Sequence, residues 1–121
     1  MRAAARTALR VRAKTARINN ERRNRWPPII INIGINSGVV LIGASKINSQ
    51  MGTRWTYTAN GYNTNLAARI GGSAVNGAIL VSEETAQRLG GGFALCDAGD
   101  QTFKGISRSI KVFSIAEPEP V

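Results

Sequence analysis

The sequence contains no histidine and a single cysteine, Cys96, among 121 residues. The first absence removes imidazole general acid/base chemistry, Ser–His pairs and imidazole metal ligands together. The second excludes an internal disulfide and any cysteine-built zinc site. No apolar run approaches the roughly 18 residues that a membrane-crossing helix needs; the longest are Pro27–Ile31 and Gly38–Ala44. Acids are few, with Asp97 and Asp100 the only aspartates, both in a Gly/Ala-flanked turn. Glu83 and Glu84 fit a helix start, and Glu117 and Glu119 lie at the end of the chain. No pair of carboxylates sits between apolar strand residues where Mg²⁺ would be held.

What is present reads as one globular domain. The apolar fraction of 43% is ordinary for a folded chain and too high for a disordered one. The net charge of +9 is unevenly spread. Residues 1–26 carry nine Lys/Arg (Arg2, Arg6, Arg10, Arg12, Lys14, Arg17, Arg22, Arg23, Arg25) against one acid, Glu21. Residues 27–121 carry seven bases and six acids, so the body is nearly neutral. The basic start has three readings: a phosphate-binding arm, an organellar transit peptide, or a solvated helix face at the domain edge. It has no interleaved aromatics on which bases could stack, so nucleic acid is not taken as a partner.

Composition and periodicity divide the chain into a basic helix over 1–26 (a truncated domain helix or an arm), a body over 27–116, and a disordered tail over 117–121. Ala5, Ala8, Leu9, Ala13 and Ala16 form a helical stripe, and Trp26-Pro27-Pro28 stops the helix. Ile29–Ile35 reads as a buried strand that turns at Asn36-Ser37-Gly38 into a second strand, Val39–Ile42. Ala44–Arg54 reads as a polar loop and Trp55–Ala59 as a short strand. Thr64–Ile70 reads as a helix, Ala78–Val81 as a strand, and Ser82 as the cap of a further helix. Phe93–Cys96, Thr102–Lys104 and Ile110–Ile115 close the chain as strands. This order indicates an α+β sheet with helices on one face.

Two constellations could carry chemistry. Asn65 and Arg69, four apart, share one helix face beside the apolar pair Leu66 and Ile70. An amide and a guanidinium held side by side suit a ribose hydroxyl and a phosphoryl oxygen. On residue types alone, however, such a pair reads as a solvated face. Lys104-Gly105, between two strands, could reach a phosphate as a point charge or be an ordinary turn. Gly43-Ala44-Ser45-Lys46 lacks the spacing of a phosphate loop.

Longer runs add a resemblance. Ile33-Gly34-Ile35-Asn36-Ser37-Gly38-Val39-Val40 followed by Gly43 resembles the IGIxxGxVxxG hairpin of class III nucleotidyl cyclases. Tyr57-Thr58-Ala59-Asn60-Gly61 with Asn65-Leu66-Ala67-Ala68-Arg69 resembles their YTxxGxxxNxAAR signature. Ile79–Thr85, Lys104-Gly105 and Val112-Phe113 resemble the closing elements of the same domain. The similarity spans residues 29–115, and Ile18-Asn19 with Pro27-Pro28 fits the preceding helix and its stop.

The resemblance implies a ferredoxin-like α+β cyclase domain, incomplete at its N-terminus, that works as a head-to-tail dimer. The implied family activity converts ATP or GTP, with ATP favoured, to a 3′,5′-cyclic nucleotide and pyrophosphate in intracellular signalling, in the cytoplasm. It implies Arg69 and Asn65 as catalytic, on the α-phosphate and ribose, and Thr58 and Lys104 as substrate-binding, on the purine and triphosphate tail. It implies Mg²⁺ or Mn²⁺ as cofactor, with ligand aspartates that this chain does not contain. The chain alone is therefore expected to be inactive, supplying one half-site to a homodimer or a complementary cyclase domain. The alternative is a degenerate cyclase-like dimerisation or regulatory module. One departure favours neither: Gly61-Tyr62-Asn63-Thr64-Asn65 stands where the family pattern is GDxVN, with Tyr62 and Thr64 replacing Asp and Val.

Overall fold

The computed structural model describes residues 2–116. Three helices, α1 (Arg2–Arg22), α2 (Tyr62–Ser73) and α3 (Glu83–Leu89), accompany six strands. These are β1 (Ile33–Ile35), β2 (Leu41–Ser49), β3 (Gly52–Asn60), β4 (Ile79–Ser82), β5 (Ala94–Gln101) and β6 (Ile110–Ala116). Four strands form one sheet in the order β1-β4-β6-β5, and β2 and β3 form a separate antiparallel ribbon. The architecture is α+β, as the sequence pattern indicates.

The core lies on both faces of the four-stranded sheet, because successive strand residues point to opposite sides. Ile79 and Val81 of β4 join Ile115, Leu89 of α3, and Ala5 and Ala8 of α1 in one cluster. Leu80, between them in sequence, joins Leu66, Ile70 and Ala74 of α2 with Ile110 and Val112 in the other. The helices therefore cover two faces, not one. A β4 buried at all four positions, without polar alternation, requires this.

Helix α1 differs from the expected stripe. Ala5 and Ala8 are buried, but Ala13 and Ala16 are exposed. The inward face continues instead through Arg12, Thr15 and Asn19, which are partly buried. Polar side chains are tolerated there because they have partners: Arg12 Nη1 donates to the Ile115 carbonyl at 3.0 Å. Asn19 brackets Ile29, accepting from its N–H and donating to its carbonyl at 2.7 Å each.

That bracket also corrects the long first strand. Ile29, Ile30 and Ile31 are exposed, and only Ile33–Ile35 enters the sheet. β1 pairs in parallel with β4, Ile33 opposite Ile79 and Ile35 opposite Val81. The expected hairpin through Asn36-Ser37-Gly38 does not form, because Asn36 and Ser37 are anchored to other elements. β2 instead pairs along its full length with β3, from Leu41 opposite Asn60 to Ser49 opposite Gly52. The expected loop over Ala44–Arg54 is thus the tip half of a ribbon. Its polar sequence hid the strands: Lys46, Asn48, Thr53 and Trp55, which share one face of the ribbon, are all exposed, and the segment carries no hydrophobic alternation.

At the other sheet edge, β5 runs on to Gln101 through an irregularity between Asp97 and Asp100. Thr102–Lys104 is not a strand. The chain there forms a turn, with the Ile106 N–H donating to the Phe103 carbonyl at 3.1 Å. Gly105 at φ 82 takes the left-handed position of that turn, which a residue with a Cβ adopts only with strain.

Candidate functional site

Helix α2 is held from both ends of its buried face. Leu66 and Ile70 pack into the core, and the backbone of the helix lies directly on β1. A Cβ placed on Gly34 would fall 2.3 Å from the Gly71 nitrogen and 2.7 Å from the Ala67 carbonyl oxygen. Only a glycine in β1 allows α2 to sit this close, which gives the second residue of Ile33-Gly34-Ile35 its physical reason.

The start of α2 is fixed by a polar network. Asn36 Nδ2 donates to the Asn63 carbonyl at 3.0 Å and to Asn63 Oδ1 at 3.2 Å. Asn63 Nδ2 in turn donates to the Val39 carbonyl at 2.9 Å. Ser82 Oγ donates to Asn36 Oδ1 at 2.7 Å and accepts from the Thr85 N–H, capping α3 as expected. Ser37 and Thr85 hydroxyls meet at 2.8 Å, buried. Five side chains, from the segment after β1 and from α2, β4 and α3, thus form one network at the start of α2. A Cβ on Gly38 would strike the Asn63 side chain at 2.2 Å, so this glycine makes room for the same network.

On the outward face of α2, Asn65 and Arg69 are exposed, one helical turn apart. Among the described residues neither side chain has a hydrogen bond or ion pair, so both are available to a ligand or to a second polypeptide. Lys104 is likewise exposed, in the turn closed by Phe103 and Ile106. Those two neighbours pack on the Leu66–Ile70 cluster, so the Lys104 turn is anchored on the face of the sheet that carries α2. No interaction joins Lys104 to Asn65 or Arg69. The backbone of Thr58 pairs with Gly43 in the ribbon, but its side chain lies outside the described residues.

A cleft of about 400 Å³ opens beside this face, between the first turn of α2, α3 and residues 108–111. Asn36, Tyr62, Asn63, Ser82, Glu84 and Arg108 are among its walls, and none of Asn65, Arg69, Thr58 and Lys104 is. The Arg108 guanidinium lies beside the Tyr62 hydroxyl, which with Glu84 pushes its pKa above the ordinary arginine value. The cleft residues were not legible as a unit, because Asn36, Asn63 and Ser82 come from three separated stretches. The one local signal was Tyr62 itself, standing where the resembled pattern has an acid.

The residues present do not fit a divalent cation. No group of three His, Cys, Asp or Glu side chains converges among the described residues. Several carboxylates are otherwise engaged: Asp97 Oδ1 accepts from the Gly99 N–H at 2.7 Å, and its Oδ2 lies 3.5 Å from Lys111. Glu84 pairs with Arg88 at 3.0 Å on the surface of α3. No helix among the described residues is long and apolar enough to cross a membrane.

Comparison with known proteins places this geometry. Residues 1–117 match the family described as the adenylate and guanylate cyclase catalytic domain. Among solved structures, the adenylyl cyclase CyaB from P. aeruginosa superposes with a TM-score of 0.73 at 28% identity, over 93% of this chain and 55% of that one. The guanylyl cyclase Cya2 superposes with a TM-score of 0.70 at 23% identity, over 98% of this chain and 58% of that one. The guanylate cyclase domain of RhGC from Catenaria anguillulae, solved with GTP, gives 0.56 at 23% identity, over 69% and 42%. The chain therefore spans about half of the structures it resembles, between 42% and 58% of each. No curated protein matches it.

Proposed function

The chain belongs to the adenylate and guanylate cyclase catalytic domain family, and from that premise we propose that it acts as the C-terminal portion of a cyclase domain, supplying one half of a shared nucleotide site. The substrate is a nucleoside triphosphate, ATP ahead of GTP, and the product a 3′,5′-cyclic nucleotide with release of pyrophosphate, in cytoplasmic signalling. Arg69 stabilises the charge developing on the α-phosphate and Asn65 orients the ribose. Lys104 holds the triphosphate tail as a point charge, and Thr58 contacts the purine through a hydroxyl that can donate or accept. In the family a divalent cation supplies Lewis-acid chemistry. The described residues of this chain do not fit one, so the carboxylates for it come from a complementary region.

The single observation that carries this reading is the two-sidedness of α2. One face is locked to β1 and the core by Gly34, Leu66 and Ile70, while the opposite face offers Asn65 and Arg69 with no partner among the described residues. A rigidly placed but unengaged amide–guanidinium pair is the arrangement expected of a site completed by a second polypeptide. The β2–β3 ribbon supports an assembly, because Ile42, Trp55 and Met51 are exposed on it by 72%, 56% and 97%.

The test mixes this chain with a cyclase domain that retains its metal-binding carboxylates but has lost its own Asn/Arg pair. Cyclic nucleotide is measured from ATP and from GTP with Mn²⁺. Turnover that appears only in the mixture, and falls about a hundredfold or more with Arg69→Ala, supports the half-site. Assembly without turnover supports the second reading, a catalytically degenerate dimerisation module.

A further inference from the structure

The connection between α1 and β1 is a closed loop with an unusual tip. Asn19 clamps both backbone groups of Ile29, so residues 20–28 leave and return at one neck. Within the loop the Arg25 and Trp26 N–H groups donate to the Arg22 carbonyl at 2.9 and 3.2 Å, folding the tip into a turn. That tip carries Arg22, Arg23, Arg25 and Trp26, followed by Pro27 and Pro28. Every residue from Asn20 to Asn32 is exposed.

Two kinds of surface meet there. Trp26 is 64% exposed, and Ile29, Ile30 and Ile31 are 46%, 62% and 40% exposed. None of the Arg22, Arg23 or Arg25 side chains has a hydrogen bond or ion pair among the described residues. The nearby acid, Glu21, is taken by Arg17 at 3.5 Å. Three unpaired guanidinium groups beside a tryptophan and three isoleucines have no place in the cyclase chemistry proposed above.

We propose that this loop docks the domain on an anionic lipid surface, with Arg22, Arg23 and Arg25 among the headgroups and Trp26 and the isoleucines at the acyl boundary. Basic clusters beside exposed apolar residues are the chemistry by which proteins lie on such membranes without crossing them. Tryptophan favours that boundary, where its ring is apolar and its N–H stays hydrated. A bound β-strand would suit the isoleucines less, because the Ile29 backbone groups it would pair with are already held by Asn19. A nucleic-acid strand would suit the arginines, but one tryptophan flanked by prolines is a poor stacking platform. The short apolar patch alone binds weakly, so the charge is required, and attachment weakens with salt.

Flotation with phosphatidylcholine vesicles, with and without phosphatidylserine, tests this on the full chain. Binding is expected only with phosphatidylserine, and a Trp55→Phe variant leaves Trp26 to report entry into the boundary by a blue-shifted emission. Each arginine near the surface contributes about fivefold, so Arg22→Ala/Arg23→Ala/Arg25→Ala lowers partition roughly a hundredfold. Trp26→Ala lowers it about tenfold. Far-ultraviolet circular dichroism confirms that the variants fold, as their exposed side chains predict. Equal binding to both vesicle types, an equal loss from Arg6→Ala/Arg10→Ala/Lys14→Ala on α1, or retention by polynucleotide with none by phosphatidylserine vesicles would each overturn the proposal.

Discussion

Replacing Gly34 by alanine adds one methyl group and should displace a helix. The new Cβ would lie 2.3 Å from the Gly71 nitrogen and 2.7 Å from both the Gly71 Cα and the Ala67 carbonyl oxygen. Ordinary contact begins near 3.4 Å, so α2 must retreat by about 1.1 Å along that direction. Every atom struck is main chain, so no side chain can swing aside. Leu66 and Ile70, buried at 3% and 0% exposure, would lose contact along the same face. Overpacking costs about 1–3 kcal/mol, and a clash with backbone belongs at the upper end. For a domain of this size, about 3 kcal/mol corresponds to a fall in Tm of roughly 10 °C. The control is Gly72→Ala, in the same helix, where a Cβ meets nothing within 4 Å. That change should stabilise by about 0.5–1 kcal/mol through helix propensity alone. Thermal melts of the two variants therefore move in opposite directions. Equal shifts, or a neutral Gly34→Ala, would refute the claim that β1 and α2 touch backbone to backbone.

Other outcomes follow from the same geometry. Thr64 Oγ1 is buried without a hydrogen-bond partner, so Thr64→Val should stabilise by about 1 kcal/mol in urea unfolding. Ser82→Ala removes both the α3 cap and the bond to Asn36, and should cost about 2 kcal/mol by the same assay. Asn19→Ala should speed hydrogen exchange at the Ile29 amide while leaving that of Ile33, bonded to the Ala78 carbonyl at 3.1 Å, protected. Asn65→Ala and Arg69→Ala should leave stability within about 0.5 kcal/mol, since both side chains are exposed, while lowering turnover in the complemented mixture.

The parts of the fold that were legible are those where a local rule coincides with the tertiary need. Ser82 followed by Glu83 and Glu84 announced α3, and its hydroxyl does accept from the Thr85 amide. The apolar run Ala78–Val81 announced a strand, and β4 forms there, buried at all four positions from Ile79 to Ser82. Errors came where a long-range partner decided. Ile29–Ile31 has strong strand propensity, yet the Asn19 amide takes its backbone at Ile29 and only three residues reach the sheet. Asn36-Ser37-Gly38 has turn composition, but its side chains bond to Asn63, Ser82 and Thr85, which carries the chain away to a different partner strand. The ribbon was invisible for a further reason: Lys46, Asn48, Thr53 and Trp55 line one exposed face of it, and Ala44–Arg54 has no hydrophobic period to read. Of the candidate site, the placement of Asn65 and Arg69 on one face needed only helix geometry. The cleft needed three elements to converge, which no window of sequence contains.

The two departures from the family signature acquire distinct physical meanings once α2 is in place. Where the pattern has valine, Thr64 puts a hydroxyl into a space that offers it no partner, and the buried group is a cost carried by the helix that displays Asn65. Where the pattern has an acid, Tyr62 stands at the first position of α2 and meets Arg108 across the cleft. An acid there would favour the positive end of the helix; tyrosine gives up that interaction and gains a contact with the segment entering β6. One replacement is thus a local loss and the other an exchange of partners, and neither alters the face carrying Asn65 and Arg69. If the half-site reading is right, Thr64→Val should raise the stability of the chain without changing turnover in the complemented mixture. Tyr62→Asp, by releasing Arg108, should change the cleft and leave the amide–guanidinium pair where it is.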